Sequence, residues 1–304
     1  SFNVKGLAPD LWQVNYVLTS GKERREGFAP FAVMKVMHRK LPPIDGFHYA
    51  ISAGLHYLER GNRLEPALWA MEAMGATMVR IDVFWNSVEP RQGVWNFKQD
   101  DRFMRLIKKY NMEPQVLLCY NAKWSATPEQ QKSKDSRDWK FAPPKLELWE
   151  KYVAKTVQRY KNDVRYWEVW NEADLNNFWH GNTQQYIDLL KVSCKIIHKY
   201  DPEARVMTSG FATLTPHPGR KHINLQRDVL NKAYDSFDIH AFHQHGEFEL
   251  FHNIVEGPLK KMRKEMPVKR PLFFNETAVP ASGLDWQACN VLKKIALVKA
   301  TGAL

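Results

Sequence analysis

One feature constrains this chain more than any other. From Phe47 to Ala300, short apolar segments rich in β-branched and aromatic residues alternate with segments of helical period. Strands are expected at Phe47–Ser52, Thr77–Phe84, Pro114–Cys119, Val164–Trp170, Ala204–Ser209, Phe237–Phe242 and Pro271–Asn275. Helices are expected at Pro66–Met74, Asp101–Tyr110, Leu146–Tyr160, Thr183–Tyr200, Leu225–Tyr234, His252–Lys264 and Asp285–Ala300. Phe103, Met104, Ile107 and Tyr110 have the spacing that lines one helical face. Strands that are each followed by a helix imply a parallel sheet. Seven such units predict an α/β fold of the (β/α)₈ TIM-barrel kind. A doubly wound sheet usually carries a glycine-rich loop after its first strand, and Ser52-Ala53-Gly54-Leu55-His56 has no such spacing. The eighth strand is missing: the chain stops at Gly302-Ala303-Leu304, where that strand would begin. Seven strands would leave open edges, so the full protein is expected to continue past Leu304.

Residues 1–40 stand outside the alternation. Leu11–Thr19 and Phe31–Met37 read as strands joined by the polar stretch Ser20–Glu26. They predict a hairpin left over from an accessory β-sandwich-like domain. Leu41-Pro42-Pro43 is the link, and residues 41–304 form the barrel, incomplete at its C-terminus.

Composition narrows the class. With 44% hydrophobic and 25% charged residues the chain is globular rather than disordered. Cys119, Cys194 and Cys289 are odd in number and lack a CxxC spacing, so buried thiols are expected rather than disulfides or a zinc ribbon. A net charge of +11 favours an anionic partner. The basic residues are spread, however, and Lys260-Lys261 and Arg263-Lys264 read as a solvated helix face. No basic stripe with interleaved aromatics marks a nucleic-acid surface, and no apolar run is long enough for a membrane span. The chain opens at Ser1 without Met, so any leader has been removed or lies outside this stretch. A secreted, periplasmic or cell-surface location is expected. No cofactor is called for, and the oligomeric state is not set by the sequence.

In a barrel of this kind chemistry sits at the C-terminal ends of the strands. There the sequence places Trp85-Asn86-Ser87 with Glu89, then Tyr120-Asn121 with Trp124, then Asn171-Glu172, then His243 and His245, and finally Asn275-Glu276. Two Glu residues end two different strands, and each follows an Asn. Cleavage of a glycosidic bond uses two such carboxyl groups, one to protonate the leaving oxygen and one to attack or to activate water. Trp85, Trp124, Trp170 and Trp179 are candidate platforms for sugar faces.

Tyr166-Trp167-Glu168-Val169-Trp170-Asn171-Glu172-Ala173-Asp174-Leu175 resembles the acid/base motif of glycoside hydrolase clan A, and Pro271-Leu272-Phe273-Phe274-Asn275-Glu276-Thr277 resembles its nucleophile motif. Val79-Arg80-Ile81-Asp82 with Trp85 and Glu89–Phe97 is similar to the second βα loop of such enzymes, and Pro114–Trp124 to their third. The likeness is strongest to family 39, the β-xylosidase and α-L-iduronidase group. It implies a retaining double displacement with Glu172 as acid/base and Glu276 as nucleophile. Their pKa values would be split so that Glu172 is protonated at rest. Asn171 would bond the hydroxyl next to the anomeric carbon. In Asp238–His245, His243 matches the family's His, but His245 stands where Tyr is usual.

Other residues are read from position alone. His56 is either a sugar contact or a loop histidine without function. Arg80 either pairs with Asp82 or steadies Glu276. Trp95 and Trp139 are packing residues. His240 points away from His243 by strand alternation. Two rival readings stand beside the hydrolase. One is a metal-dependent sugar isomerase or lyase, for which His56, His243, His245, Glu172 and Glu276 are ligand types. The other is a non-catalytic carbohydrate-binding protein. In every reading the partner is a carbohydrate, and the positive charge together with the iduronidase likeness favours an acidic glycan.

Overall fold

The computed structural model describes residues 8, 10–33, 39–212, 214, 224–266, 268–279 and 283–304. The first two strands, β1 (Asp10–Ser20) and β2 (Glu23–Val33), form an antiparallel hairpin in which Ser20 pairs with Glu23 and Asp10 with Val33. Gly21, at φ 60°, and Lys22 make the turn. A two-residue hairpin loop needs a positive φ at its first position, which glycine adopts without strain. The expected linker Ser20–Glu26 is therefore corrected. Glu23–Glu26 belong to β2, where exposed charges sit without penalty on a strand that faces water. Of the expected second strand, Phe31–Val33 lie in β2 and residues 34–38 fall outside the described residues.

The seven expected parallel strands all form: β3 (Ala50–Ser52), β4 (Met78–Phe84), β5 (Glu113–Cys119), β6 (Tyr166–Val169), β7 (Arg205–Met207), β8 (His240–His243) and β9 (Leu272–Glu276). β3 to β7 are hydrogen-bonded in chain order, and β8 pairs with β9. Parallel bridges from Met207 to Ile239 and from Phe211 to Phe242 join the two groups. Helices Leu64–Ala73, Lys98–Lys109, Leu146–Tyr160, Thr183–Tyr200, Leu225–Lys232 and Leu284–Ala300 match the expected ones to within a few residues. The helix expected at His252–Lys264 is composite. Phe248–Ile254 is α-helical, Val255–Leu259 is a π turn and Lys260–Glu265 is α-helical again. Pro258 lies within the π turn. Proline lacks an N–H and its ring crowds the carbonyl four residues back, so the wider turn absorbs it.

Strand alternation divides the core. Val79, Ile81 and Val83 of β4 join the large cluster beneath the helices. Met78, Tyr166, Met207, Ile239, Ala241 and Phe273, from five different strands, form a second cluster. Strands so far apart in the order can share a plug of side chains when the sheet curls around it. Above that plug the same strand faces turn polar. Among the described residues no helix is long and apolar enough to cross a membrane.

Candidate active site

The polar layer is organised by Arg80, on β4 two residues beyond Met78 and only 5% exposed. Its Nε and Nη2 donate to the two oxygens of Glu168 at 2.7 and 3.1 Å. Nη2 also donates to Asn171 Oδ1 at 2.8 Å, and Nη1 to Glu276 Oε2 at 2.8 Å. Gln115 Nε2 adds a third donor to Glu168, at 3.0 Å. Glu168 is wholly buried, and a carboxylate there is tolerable only when paired and hydrogen-bonded. The planar guanidinium provides this with a two-pronged contact. Burial works against the charge on Arg80, but Glu168 and Glu276 outweigh it and raise its pKa. Of the two readings of Arg80, the contact with Glu276 is the one found. Asp82 is not its partner, because β4 points the guanidinium across the sheet to β6 and β9.

Glu172 lies beyond the end of β6, where the backbone bends sharply. Trp170 and Glu172 have φ of 67° and 42°, left-handed values that are strained for residues with a Cβ. Hydrogen bonds hold the bend: Trp170 N–H donates to Leu118 O at 3.1 Å and Glu172 N–H to Ser209 O at 2.5 Å. The Glu172 side chain, almost fully buried, has its Oε1 2.8 Å from His243 Nδ1. That same nitrogen lies 4.0 Å from Glu276 Oε2. Because 2.8 Å and 4.0 Å meet at one atom, the two carboxylate oxygens are at most about 6.8 Å apart. The His243 ring rests against Gly210, at φ 58°, where an added Cβ would fall 2.1 Å from Nε2. His240 points away from the site, to Gln226 and Arg263, as alternation requires.

Glu276 keeps 30% of its side chain exposed, so it faces an open space. Burial raises its pKa, but the charges of His243, Arg80 and His245 overcome that and hold the carboxyl below the usual carboxylate range. His245, half-exposed, has its Nε2 3.7 Å from Glu276 Oε1. Lys294, from helix Leu284–Ala300, reaches across to Gly246 O at 2.5 Å, Thr277 Oγ1 at 3.0 Å and Ala278 O at 3.2 Å. It thereby ties the loops after β8 and β9 together. Burial pushes its ammonium down to about 8.

Several expected contacts are not found. Trp85 is fully buried, stacked on Tyr152 and edge-on to Trp149, and Trp170 and Trp179 are buried as well. Their N–H groups donate to Glu89, Phe178 O and Asn182 O. These three rings are core packing, not platforms. Trp124 is half-buried, packs edge-on against Trp85 and donates to Glu89 O at 2.7 Å, so it ties two loops together. Both ring nitrogens of His56 are engaged, with Gln99 Oε1 at 3.0 Å and Asp82 O at 3.2 Å. The histidine fastens a loop, which corrects the sugar-contact reading. Trp95 stacks parallel on Phe97 as a packing residue should.

A concavity of about 1250 Å³ lies elsewhere, on the outside between helices Lys98–Lys109 and Leu146–Tyr160. It contains none of the carboxylates just described. A hollow of about 390 Å³ includes Glu276, Asn275 and Lys294, with Ala50–Ser52 on its other side. The acids converge at the strand ends, away from the larger concavity. Sequence reasoning missed Glu168, Gln115, Gly210 and Lys294. Glu168 left a signal, as a carboxylate in the middle of an apolar strand.

The model of the glycosyl hydrolases family 39 matches residues 70–286. The chain belongs to glycosyl hydrolase family 39. Among curated relatives, an endo-1,4-beta-xylanase A of Halalkalibacterium halodurans is 28% identical over 164 residues, covering 48% of this chain and 41% of the relative. A beta-xylosidase of Caldicellulosiruptor saccharolyticus is 30% identical over 156 residues, 48% of this chain and 31% of that protein. The chain thus spans less than half the length of these relatives. A family 39 glycoside hydrolase from Bacteroides cellulosilyticus WH2 superimposes with a TM-score of 0.68 at 17% identity, over 96% of this chain and 61% of that one. A monomeric beta-xylosidase from Caulobacter crescentus CB15 gives 0.64 at 19%, over 85% and 59%. These likenesses establish a TIM-barrel-like α/β fold.

Proposed function

We propose that this family 39 chain hydrolyses O-glycosidic bonds with retention of configuration, with Glu172 as acid/base and Glu276 as nucleophile. The observation that carries the reading is the shared neighbour His243, which keeps the two carboxylates within about 6.8 Å of each other. Retaining enzymes place their carboxyl groups ~5–5.5 Å apart and inverting ones ~6.5–9.5 Å, and an oxygen pair bounded at about 6.8 Å supports the closer, retaining spacing. The electrostatics divide the roles. Glu276, held ionised by Arg80 and the two histidines, suits attack on the anomeric carbon. Glu172, buried with its Oε1 2.8 Å from His243 Nδ1, is placed for proton transfer.

In the first step Glu276 bonds to the anomeric carbon while the Glu172 proton passes to the leaving oxygen. In the second step Glu172 takes a proton from water, which displaces Glu276. Arg80 can only donate hydrogen bonds, so the atom of Asn171 that faces it is the oxygen. The amide NH₂ is thereby left to donate to the sugar hydroxyl beside the anomeric centre. The names of the relatives support a xylose-type substrate. The +11 charge supports an acidic glycan as a second reading.

The proposal includes a closed eightfold barrel, supported by the hollow between β3 and β9 and by the bond from Leu304 N–H to Leu272 O at 2.9 Å. It also includes an accessory β-domain around residues 1–40. Support for that comes from the exposed Tyr16, Val17, Leu18 and Phe28 on the hairpin, since an isolated two-stranded hairpin is at best marginally stable. The test is a screen of aryl β-xylosides and uronides with the product anomer read by NMR before mutarotation. First-formed sugar of retained configuration is the expected result, and first-formed sugar of inverted configuration would overturn the proposal.

A further inference from the structure

Among the described residues, two polar side chains on and beside β4, those of Asp82 and Lys140, make no side-chain hydrogen bond or ion pair. Asp82 follows Arg80 on β4, and Phe84 follows Asp82, so all three share one face of the strand at a spacing of about 7 Å. Along that row exposure opens: Arg80 is buried, whereas Asp82 and Phe84 are half-buried. Their neighbours on the opposite face, Ile81 and Val83, are sealed beneath the helices. The row therefore climbs from the Glu276 contact into open space. At its upper end sits the ammonium of Lys140, from the short helix Arg137–Lys140. It lies 5.5 Å from the Phe84 ring centre, 4.9 Å from Tyr120 and 5.3 Å from Phe141. Tyr120 in turn packs edge-on against Trp170, two residues before Glu172.

The rings hold the ammonium by cation–π attraction, but they satisfy none of its three N–H donors. Among the described residues no carboxylate oxygen comes within ion-pair reach of Lys140, and no side-chain hydrogen bond is made by the Asp82 carboxyl. The two groups nevertheless sense each other: burial raises the Asp82 pKa, against the pull of Arg80, His56 and Lys140. The geometric link between them is Phe84, which lies two residues beyond Asp82 on the same strand face and carries the Lys140 ammonium over its ring. Phe84, Tyr120 and Phe141 hold the ammonium, and the strand holds the acid.

We infer that Asp82 and Lys140 are a specificity pair that grips the ring hydroxyls of a neutral sugar, Asp82 accepting and Lys140 donating, on the side away from the scissile bond. The ring of a pentose or hexose presents vicinal hydroxyls, each both donor and acceptor, and so fits between them. A uronate is disfavoured by the Asp82 carboxyl. This inference rests on the hydrolase reading and narrows its substrate to neutral, free-hydroxyl sugars.

The test compares 4-nitrophenyl β-xyloside with its 3-deoxy and 4-deoxy analogues, and with the corresponding glucoside and glucuronide. Wild type should prefer the parent over one deoxy analogue by about 10-fold or more in kcat/KM, because a partly buried charged group that loses its hydrogen-bond partner is costly. Asp82→Asn and Lys140→Met should each lower kcat/KM for the parent about 10-fold more than for that analogue. Lys140→Arg, which keeps a cation over the rings, should restore part of the difference. Wild-type enzyme that treats parent and deoxy sugars alike, or that prefers the glucuronide, overturns the pair and leaves the hydrolase reading intact. Failure of wild type to turn over any of these glycosides overturns both. Should a variant misfold, the wild-type comparison still decides.

Discussion

The contact between Gly210 and His243 lends itself to a worked perturbation. Gly210→Ala would place a methyl group 2.1 Å from His243 Nε2, well inside van der Waals contact, at a backbone φ of 58°. The left-handed backbone alone costs an alanine about 1–2 kcal/mol. Overpacking a buried ring adds about 1–3 kcal/mol. The fold should therefore lose about 2–5 kcal/mol, or the His243 ring should move. If it moves, the 2.8 Å contact with Glu172 is broken. A hydrogen bond to a charged group contributes about 1.5–3 kcal/mol, so kcat should fall roughly 10- to 150-fold. The loss should be greater for a poor leaving group, which depends on the proton Glu172 gives. Melting curves and leaving-group series in a double-mutant cycle with His243→Ala separate the terms. Without the imidazole the clash disappears, and Gly210→Ala should cost only the backbone strain, about 1–2 kcal/mol. Equal costs in both backgrounds would show that the ring is not seated on Gly210, and the link from backbone to acid/base would be lost.

Other outcomes follow from the same geometry. Glu172→Ala should retain most turnover of a glycoside with an acidic phenol, lose it with a poor leaving group, and give a glycosyl azide of retained configuration when azide is added. Arg80→Lys should lower kcat/KM by about 10²-fold or more, since a point charge cannot serve Glu168, Asn171 and Glu276 together; a near-normal rate would remove Arg80 from the machinery. His198 sits on Asp238, and that hydrogen bond, helped by Cys194, raises its pKa to about 10. Its stabilisation is fully present below about pH 6.5 and fades as pH rises towards 10. The stability gap between wild type and His198→Gln, measured by denaturant titration, should shrink over that window.

The sequence made the strands legible because each is a short apolar run bounded by turns, and the long helices because their period is sustained. Leu146–Tyr160 and Thr183–Tyr200 have the expected bounds, the second because Asn182 and Gln185 form a capping box. The helices Trp85–Val88 and Arg137–Lys140 are too short to show a period. Pro128–Lys132 did carry a signal, the Thr127 to Gln130 capping box with Pro at the first position. The two Asn-Glu pairs and His243 were legible because strand ends concentrate chemistry. The tryptophans misled for a physical reason: an indole before a loop can serve a sugar or a core with equal ease, and only burial decides. Partners were the least legible. Arg80 takes Glu168 rather than Asp82 because register across β4, β5 and β6 sets who faces whom, and no local pattern encodes that register.

The most direct test of the account is to trap the intermediate. An activated 2-deoxy-2-fluoro glycoside of the preferred sugar should inactivate the enzyme with time, release one equivalent of leaving group and add one sugar mass to the protein. Proteolysis and mass spectrometry should place that sugar on Glu276. A label on Glu172, or first-formed product of inverted configuration with no covalent adduct, would contradict the double displacement proposed for these two carboxylates.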